Sequence, residues 1–384
     1  MIAFLIFDLN VCGGTHKQFL KLLEYAERQR HDFIIVTKKL DFDKTYEGFR
    51  KFKDRIFVLD YYDYPNVFRH RGIRRLIPYY YRWKLKKLIK NCEIINIHDN
   101  GFEDIFPYLK GKKVYWQIND LPGAFRVGTS ANIQDTEIAK REREYILKYS
   151  QDFKAISVNV AKNAMRVQDC FGRKAYIFYC GIEPIKIHRN IQESKRRFDQ
   201  RKINLLSSGV FFPYRNYETQ VEVVKSLVEK GYDVNLHIIG NTSKNKKYAS
   251  KIQSLIDANG LTDRIIIEGQ VDNKRFEYLH QNADMFLFVN IDQSWGLAVF
   301  EAMSCGLPVI VSKSVGATEI LHDGTDAIFV DPKNEEQITS EVEKLVSDQD
   351  YYLRISAIAS EFYKDWTWDK AYCSKMYNLM MHGN

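Results

Sequence analysis

Two series of short, continuously apolar segments, each alternating with amphipathic helical spans, limit what this 384-residue chain can become. The first series runs IAFLIFD, FIIVT, IFVLD, IINIHD, KKVYWQIND and KAISV; the second runs INLLSSG, VNLHIIG, RIIIEG, DMFLFV, PVIVS and AIFV. Strands this uniformly apolar are covered on both faces, and the intervening spans supply the cover, as in HKQFLKLLEYAERQR with Phe19, Leu22, Leu23 and Ala26 at helical spacing. The expectation is an α/β protein of two doubly wound domains, each a parallel sheet between helices. Between the two series, residues 185–202 turn polar and charged and read as a linker. The expected divisions are therefore 1–184, the linker 185–202, 203–365, and an aromatic, strandless tail over 366–384. At this length, with 45% hydrophobic residues, two full cores are within reach.

Residues 284–312, DMFLFVNIDQSWGLAVFEAMSCGLPVIVS, carry the most chemistry. They read as strand, loop, helix and strand. The turn around Ser294, Trp295, Gly296 and Leu297 places helix N-terminal amides beside the positive end of a helix dipole, which suits phosphate. One turn later Glu301 interrupts an apolar helix, and a carboxylate there needs donors such as the two hydroxyls of a ribose. The competing reading, Glu301 answering the helix dipole, is weakened because Ser294 and Leu297 form no capping box.

The same stretch resembles the donor-binding region of the GT4 family of retaining GT-B glycosyltransferases, whose pattern is Glu, seven residues, Glu, then Ala-Met and Gly-x-Pro. Glu301 followed by AMSCGLPVIVS matches it, while the first Glu is replaced by Gln293. The resemblance spans nearly the whole chain and implies two Rossmann-like domains facing across a cleft, with the C-terminal helix crossing back to the first. It makes 1–184 the acceptor domain and 203–365 the nucleotide-sugar donor domain. It also implies that Glu301 holds the ribose and that Gln293 reaches the donor sugar.

Further motifs follow the resemblance. In SSGVFFPYRNYE the family has Gly-Arg and, six residues past the Gly, Lys; here Val210 follows Gly209, and Arg215 fills the second position. Arg215 is expected to grip the donor diphosphate and stabilise it as it leaves. Gln270 and Val271, after RIIIEG, would offer backbone groups to the base. Gly316 and Glu319 resemble a family turn lining the donor side, and the segment ending in Cys180 and Glu183 resembles the stretch before the domain crossing. In the first domain, Gly13 and Gly14 follow the first strand and permit close backbone approach to a ligand. This glycine pair is not the dinucleotide fingerprint, which argues against an oxidoreductase. Asn119 stands where many relatives carry a His that reaches the donor hexose, and His98 and Asp120 lie at strand ends on the expected acceptor side. The triplet Asp41, Phe42, Asp43 lies in a charged loop with no suitable strand before it, so no metal site is read there.

The net charge of +8 is concentrated: residues 69–90 hold nine Lys or Arg and no acid, leaving the rest near −1. After Pro78 an apolar stripe of Tyr81, Leu85, Leu88 and Ile89 runs beside Arg82, Lys86 and Lys90, with Trp83 and Lys87 alongside. Such a helix suits an anionic membrane surface, or packs its stripe on the sheet. No nucleic-acid motif accompanies the charge. Six cysteines lack CxxC pairing or ligand spacing with His and read as reduced, and no apolar run reaches membrane-spanning length, so the expected location is cytoplasmic, possibly peripheral at the inner membrane face.

The function the resemblance implies is transfer of a sugar from a UDP- or GDP-linked donor to an acceptor hydroxyl with retained configuration, without metal or cofactor. The acceptor class implied is a saccharide or lipid-linked saccharide of a surface polysaccharide. The alternatives are an epimerase of the same architecture, or a sugar-nucleotide or lipid-head-group binding protein without turnover.

Overall fold

The computed structural model describes residues 1–59, 77–126, 135–185, 187 and 189–383. The chain divides into two compact units, Met1–Gly181 with Trp368–Asn384, and Ile182–Thr367.

The first unit holds a seven-stranded, wholly parallel sheet: β1 (Ile2–Asp8), β2 (Phe33–Lys39), β3 (Ile56–Val58), β4 (Ile94–His98), β5 (Lys113–Ile118), β6 (Ala155–Val158) and β7 (Tyr176–Ile177). Their order is β3-β2-β1-β4-β5-β6-β7. Helices α1 (Gly14–Arg28), α2 (Ile77–Leu88), α3 (Glu137–Ser150) and α4 (Ala161–Phe171) connect them. One face of the sheet is apolar: Ala3, Leu5, Ile95, Ile97, Val114, Trp116, Ile118, Ile156 and Val158 form a single buried cluster with Leu85, Ile146 and Val167 from the helices. The burial of that many aliphatic side chains, each contributing about 1.5–3 kcal/mol, gives this unit its own core.

The second unit has a six-stranded parallel sheet: β8 (Lys202–Ser208), β9 (Asp233–Ile239), β10 (Ile265–Gly269), β11 (Met285–Phe288), β12 (Val309–Ser312) and β13 (Ile328–Val330). The order is β10-β9-β8-β11-β12-β13, so the topology reverses between β8 and β11. In doubly wound sheets ligands bind beyond the carboxyl ends at such a reversal. The helices are α5 (Ile191–Asp199), α6 (Tyr217–Glu229), α7 (Lys246–Ala258), α8 (Asn273–Asn282), α9 (Leu297–Ser304), α10 (Glu335–Ser347) and α11 (Gln349–Glu361).

The charged stretch read as a linker is largely part of this second unit. Helix α5 buries Ser194 and Phe198, and Phe198 joins the apolar core. Arg197 pairs with the fully buried Asp284 carboxylate at 2.5 Å. Arg189 donates to Ala283 O at 2.9 Å and to the Tyr352 hydroxyl at 2.8 Å. Ile191, Ser194 and Phe198 recur at helical spacing, a signal obscured by the surrounding charge.

The tail belongs to the first unit. A π-helical turn at Asp369–Cys373 leads into α12 (Ser374–His382). Arg28 on α1 pairs with Asp369 at 2.6 Å, and Tyr25 meets Tyr377 edge-on at 5.6 Å. A side chain at Gly181 would stand 2.2 Å from Trp368 Cα, so the tail's entry fits only against glycine.

Candidate functional site

Three strands of the second sheet end in glycine, and their tips touch. The amide of Gly209 donates to Ile239 O at 2.8 Å, and that of Gly240 donates to Gly269 O at 2.8 Å. A Cβ on Gly240 would lie 1.8 Å from Gly209 O, which only glycine permits. Gly240 went unnoticed in the sequence, although strands ending INLLSSG, VNLHIIG and RIIIEG carry the pattern openly.

Arg215 is folded back over this edge. It closes the short 3-10 turn Pro213–Arg215, after which Asn216 takes a left-handed conformation, φ +58°, to start α6. Asn216 anchors that turn by donating to Val289 O at 3.0 Å and Pro332 O at 2.7 Å. The guanidinium then lies against Gly209, where a built Cβ would be 2.8 Å from Cζ. With the Asn290 amide turned to oppose it, Nη1 donates to Asn290 Oδ1 at 3.0 Å. The Tyr214 and Phe288 rings sit 5.2 and 5.7 Å from Cζ. Nε is buried with no hydrogen-bond partner, and among the described residues no carboxylate pairs with this cation. An unneutralised guanidinium at a sheet edge is suited to an anionic ligand.

The loop after β11 reaches the same Phe288 ring. Gly296, at φ +95°, is the N-cap of α9, and its Cβ position lies 3.1 Å from Phe288 and 3.0 Å from Val315. No side chain caps α9. The loop is stitched to the following turn by Gly316 N–H to Gln293 O at 3.2 Å and Ala317 N–H to Trp295 O at 2.9 Å. Trp295 is 3% exposed and stacks on Phe300 at 5.0 Å, so its ring anchors the loop and leaves ligand contact to the backbone. Gln293, Ser294 and Leu297 are partly exposed. Glu301, also partly exposed, shares a helix stripe with Leu297 and Ala298, while Val299, Phe300, Ala302 and Met303 turn inward. The carboxylate thus faces outward, one turn behind the uncapped amides. Glu319 closes the neighbouring 3-10 turn Gly316–Glu319.

Gln270 and Val271 follow Gly269, which has φ +69°. Gln270 is exposed and Val271 partly so. Their loop is braced from below: Glu268 accepts from Arg275 Nε at 3.0 Å and lies 2.7 Å from His237 Nδ1. These partners hold the Glu268 carboxyl below its usual range despite its burial. Arg215, the glycine tips, Gln270, Asn290 and Gly296 therefore share the carboxyl edge of one sheet.

The residues singled out in the first unit are arranged differently. Gly13 is the N-cap of α1 in extended conformation. Behind it, Asn119 is 5% exposed, and its Nδ2 donates to Thr15 Oγ1 at 3.1 Å and Gln18 Oε1 at 2.9 Å. Its Oδ1 accepts from Gln117 at 3.0 Å. The Asn119 amide is fully engaged in fixing α1 to β5, so its chemistry in this structure is positional. His98 is fully buried, and burial, with His16 nearby, depresses its pKa to about 3. Asp120 is exposed.

Next to them, Asp99 directly follows β4. Asp99 sits at φ +63°, and burial together with Asp120 and Glu103 raises its pKa to about 7. Glu103 is likewise raised to about 7, chiefly by burial. In the DFD triplet, Asp41 pairs with Lys44 and Asp43 with Arg50. All six cysteines are free thiols.

Residues 188–362 match the family described as glycosyl transferases group 1. An uncharacterized glycosyltransferase of Methanocaldococcus jannaschii is 22% identical, with 94% of this chain and 92% of that protein covered. Among solved structures, the Anabaena protein HepE in complex with UDP and glucose superposes at a TM-score of 0.72 with 12% identity, covering 98% of each chain. WaaG, a glycosyltransferase involved in lipopolysaccharide biosynthesis, superposes at 0.71 with 15% identity, covering 100% of each. At these identities the likeness is one of GT-B fold.

Proposed function

The second unit belongs to glycosyl transferases group 1, and from that premise we propose that this chain transfers a sugar from a nucleotide sugar to an acceptor hydroxyl with retention of configuration. The observation that carries the reading is Arg215: a half-buried guanidinium with no counter-ion among the described residues, laid over the glycine tips beside the uncapped start of α9. The donor diphosphate occupies that edge. The Arg215 fork and the α9 amides take up the charge that grows on it as the glycosidic bond breaks, a preorganised arrangement commonly worth ~3–4 kcal/mol per donor group. Glu301 accepts from the ribose hydroxyls, and the loop at Gln270 and Val271 frames the base. Gln293 is neutral and Asn119 is committed to the fold, so neither serves as a proton carrier. The leaving phosphate itself takes the acceptor proton on the face it departs from, a route that needs no metal. The binding of UDP and glucose by HepE supports a uridine-linked donor.

The acceptor is a saccharide or lipid-linked saccharide, and α2 supports a membrane-proximal one. Leu85 and Ile89 are buried against the sheet, so that apolar stripe belongs to the core. What faces outward is aromatic and basic: Tyr79, Tyr80 and Trp83 are 65%, 56% and 58% exposed, and Lys87 lies 5.6 Å over the Trp83 ring. Amphipathic aromatics beside cations suit an anionic lipid surface. Residues 69–76 of the basic stretch lie outside the described residues. No helix among the described residues is long and apolar enough to cross a membrane.

The test is incubation with a panel of nucleotide sugars, with and without saccharide and lipid-extract acceptors. Acceptor-dependent nucleotide release, with the product's anomeric configuration read by NMR, supports the proposal. Acceptor-free interconversion of the donor marks an epimerase, and binding without release a protein that does not turn over. Either would overturn it.

A further inference from the structure

The two faces of the first sheet are chemically unlike. Register places Phe4, Asn96, Tyr115 and Ala155 side by side, followed by Ile6, His98, Gln117 and Ser157. The centre of this face, over β4, β5 and β6, is polar, opposite the apolar face already described. Yet it is not open to solvent. Asn96, His98 and Gln117 are all 0% exposed. Helix α1 covers it through Gln18 and Phe19, the latter 5.1 Å from the His98 ring. The tail covers it through Tyr372, 6.4 Å from that ring, and through Met376, whose sulfur lies 3.9 Å from Ser157 Oγ.

Part of this face satisfies itself. Ser157 donates to Gln117 Oε1 at 2.7 Å, Gln117 to Asn119, and Asn119 to Gln18. The rest does not: Gln18 Nε2, both amide atoms of Asn96, one His98 ring nitrogen and the Tyr372 hydroxyl are buried without a hydrogen-bond partner, the other His98 nitrogen being turned to the Thr15 backbone. Five such atoms left dry would cancel a large share of the marginal net stability of a folded unit.

We propose that the space between the polar face of this sheet, α1 and the tail is a binding site for a small cluster of ordered water molecules, held by Asn96, His98, Gln18 and Tyr372. The donor set selects the ligand. It carries no formal charge with the imidazole neutral, and mixes donors (Gln18 Nε2, Asn96 Nδ2) with acceptors (Asn96 Oδ1, one His98 nitrogen), while Tyr372 supplies either. An ion finds no complement in such a set, and all four side chains are wholly buried beneath the two covering layers. Water offers two donors and two acceptors and needs only two to four partners. A folded unit of this size ordinarily holds on the order of seven buried waters. The cluster also has a role: it completes the hydrogen bonding of Gln18, which orients Asn119 and thereby the turn at Gly13 and Gly14.

The full-length chain tests this by the sign of a change in thermal stability. Asn96→Leu keeps approximate volume and removes two polar atoms. If they are bound to water, their loss strips the cluster of partners, and the transition of the first unit falls by about 2–6 °C. If the atoms are dry, removing them raises it, which overturns the proposal. Tyr372→Phe asks the same question by deleting one hydroxyl from an unchanged ring, and serves where Asn96→Leu does not fold. A crystal structure at a resolution that shows ordered water completes the test. Density bonded to Asn96 and His98 supports the cluster; direct side-chain pairing of these groups without water excludes it.

Discussion

The turn from β1 to α1 and the turn from β8 to α6 hold the same place in their respective sheets, a central strand passing into its helix through glycine. Their chemistry is opposite. In the first unit the Asn119 amide behind Gly13 is fully bonded within the fold, tied to Thr15, Gln18 and Gln117. In the second unit the turn delivers Arg215, a cation with a buried, unpartnered Nε and no carboxylate beside it among the described residues. A polar network that satisfies itself rigidifies a scaffold, whereas one left incomplete holds affinity in reserve for a ligand. Under the proposed function, donor recognition is concentrated in the second unit, and the Asn119 network of the first is a rigid scaffold.

That contrast can be broken by experiment, most sharply at Arg215. Arg215→Gln should lower kcat for sugar transfer by about 10²–10³-fold, and Arg215→Lys should restore only part of it, because an ammonium cannot reproduce the fork. Unchanged kcat in both would remove Arg215 from the mechanism. Glu301→Ala should weaken nucleotide-sugar binding measured by calorimetry by about 10–100-fold, the value of hydrogen bonds to a charged group. Unaltered affinity would make Glu301 structural. On the other side of the comparison, Asn119→Ala should act first on stability, costing about 1–3 kcal/mol by denaturant unfolding, because Gln18, Gln117 and Thr15 lose their common partner. Full stability with abolished transfer would reverse the contrast.

The smallest expected effect is a dependence on pH. Asp99 and Glu103 keep their protons to about pH 7 in the fold, but lose them near pH 4 in the unfolded chain. The stability they contribute is complete below about pH 4 and is lost as pH rises through 7. His98, depressed to about 3, acts in the opposite direction over pH 3 to 6.5, so the wild-type profile is partly flattened. The difference in melting temperature between Asp99→Asn and the wild type should therefore move in favour of the variant between pH 5 and 7.5. A difference independent of pH would show that Asp99 is not titrating there.

Much of this was legible in the residues. The apolar strands, the glycine before α9, Glu301 one turn into it, and Arg215 at its fixed distance from Gly209 are local spacings, and local spacing transmits directly into strand ends and helix faces. Other features were hidden for a physical reason in each case. Helix α5 looked like a linker because its charges outnumber its apolar stripe, although Arg197 is drawn inward by Asp284, 87 positions away. The membrane reading of 69–90 changed in detail over its described part because packing claimed Leu85 and Ile89 and left the aromatics outside. Trp295 was named with its loop, and only stacking on Phe300 assigned its ring to anchoring.

The sequence alone determined the two parallel sheets, the anion-suited turns at the end of the second, and the acid that stands behind one of them, because each depends on residues a few positions apart. The tertiary structure alone decided which polar groups remain available. Asn119, His98 and Arg215 are equally polar as letters, and they differ only in what other strands and helices, remote in the chain, bring against them.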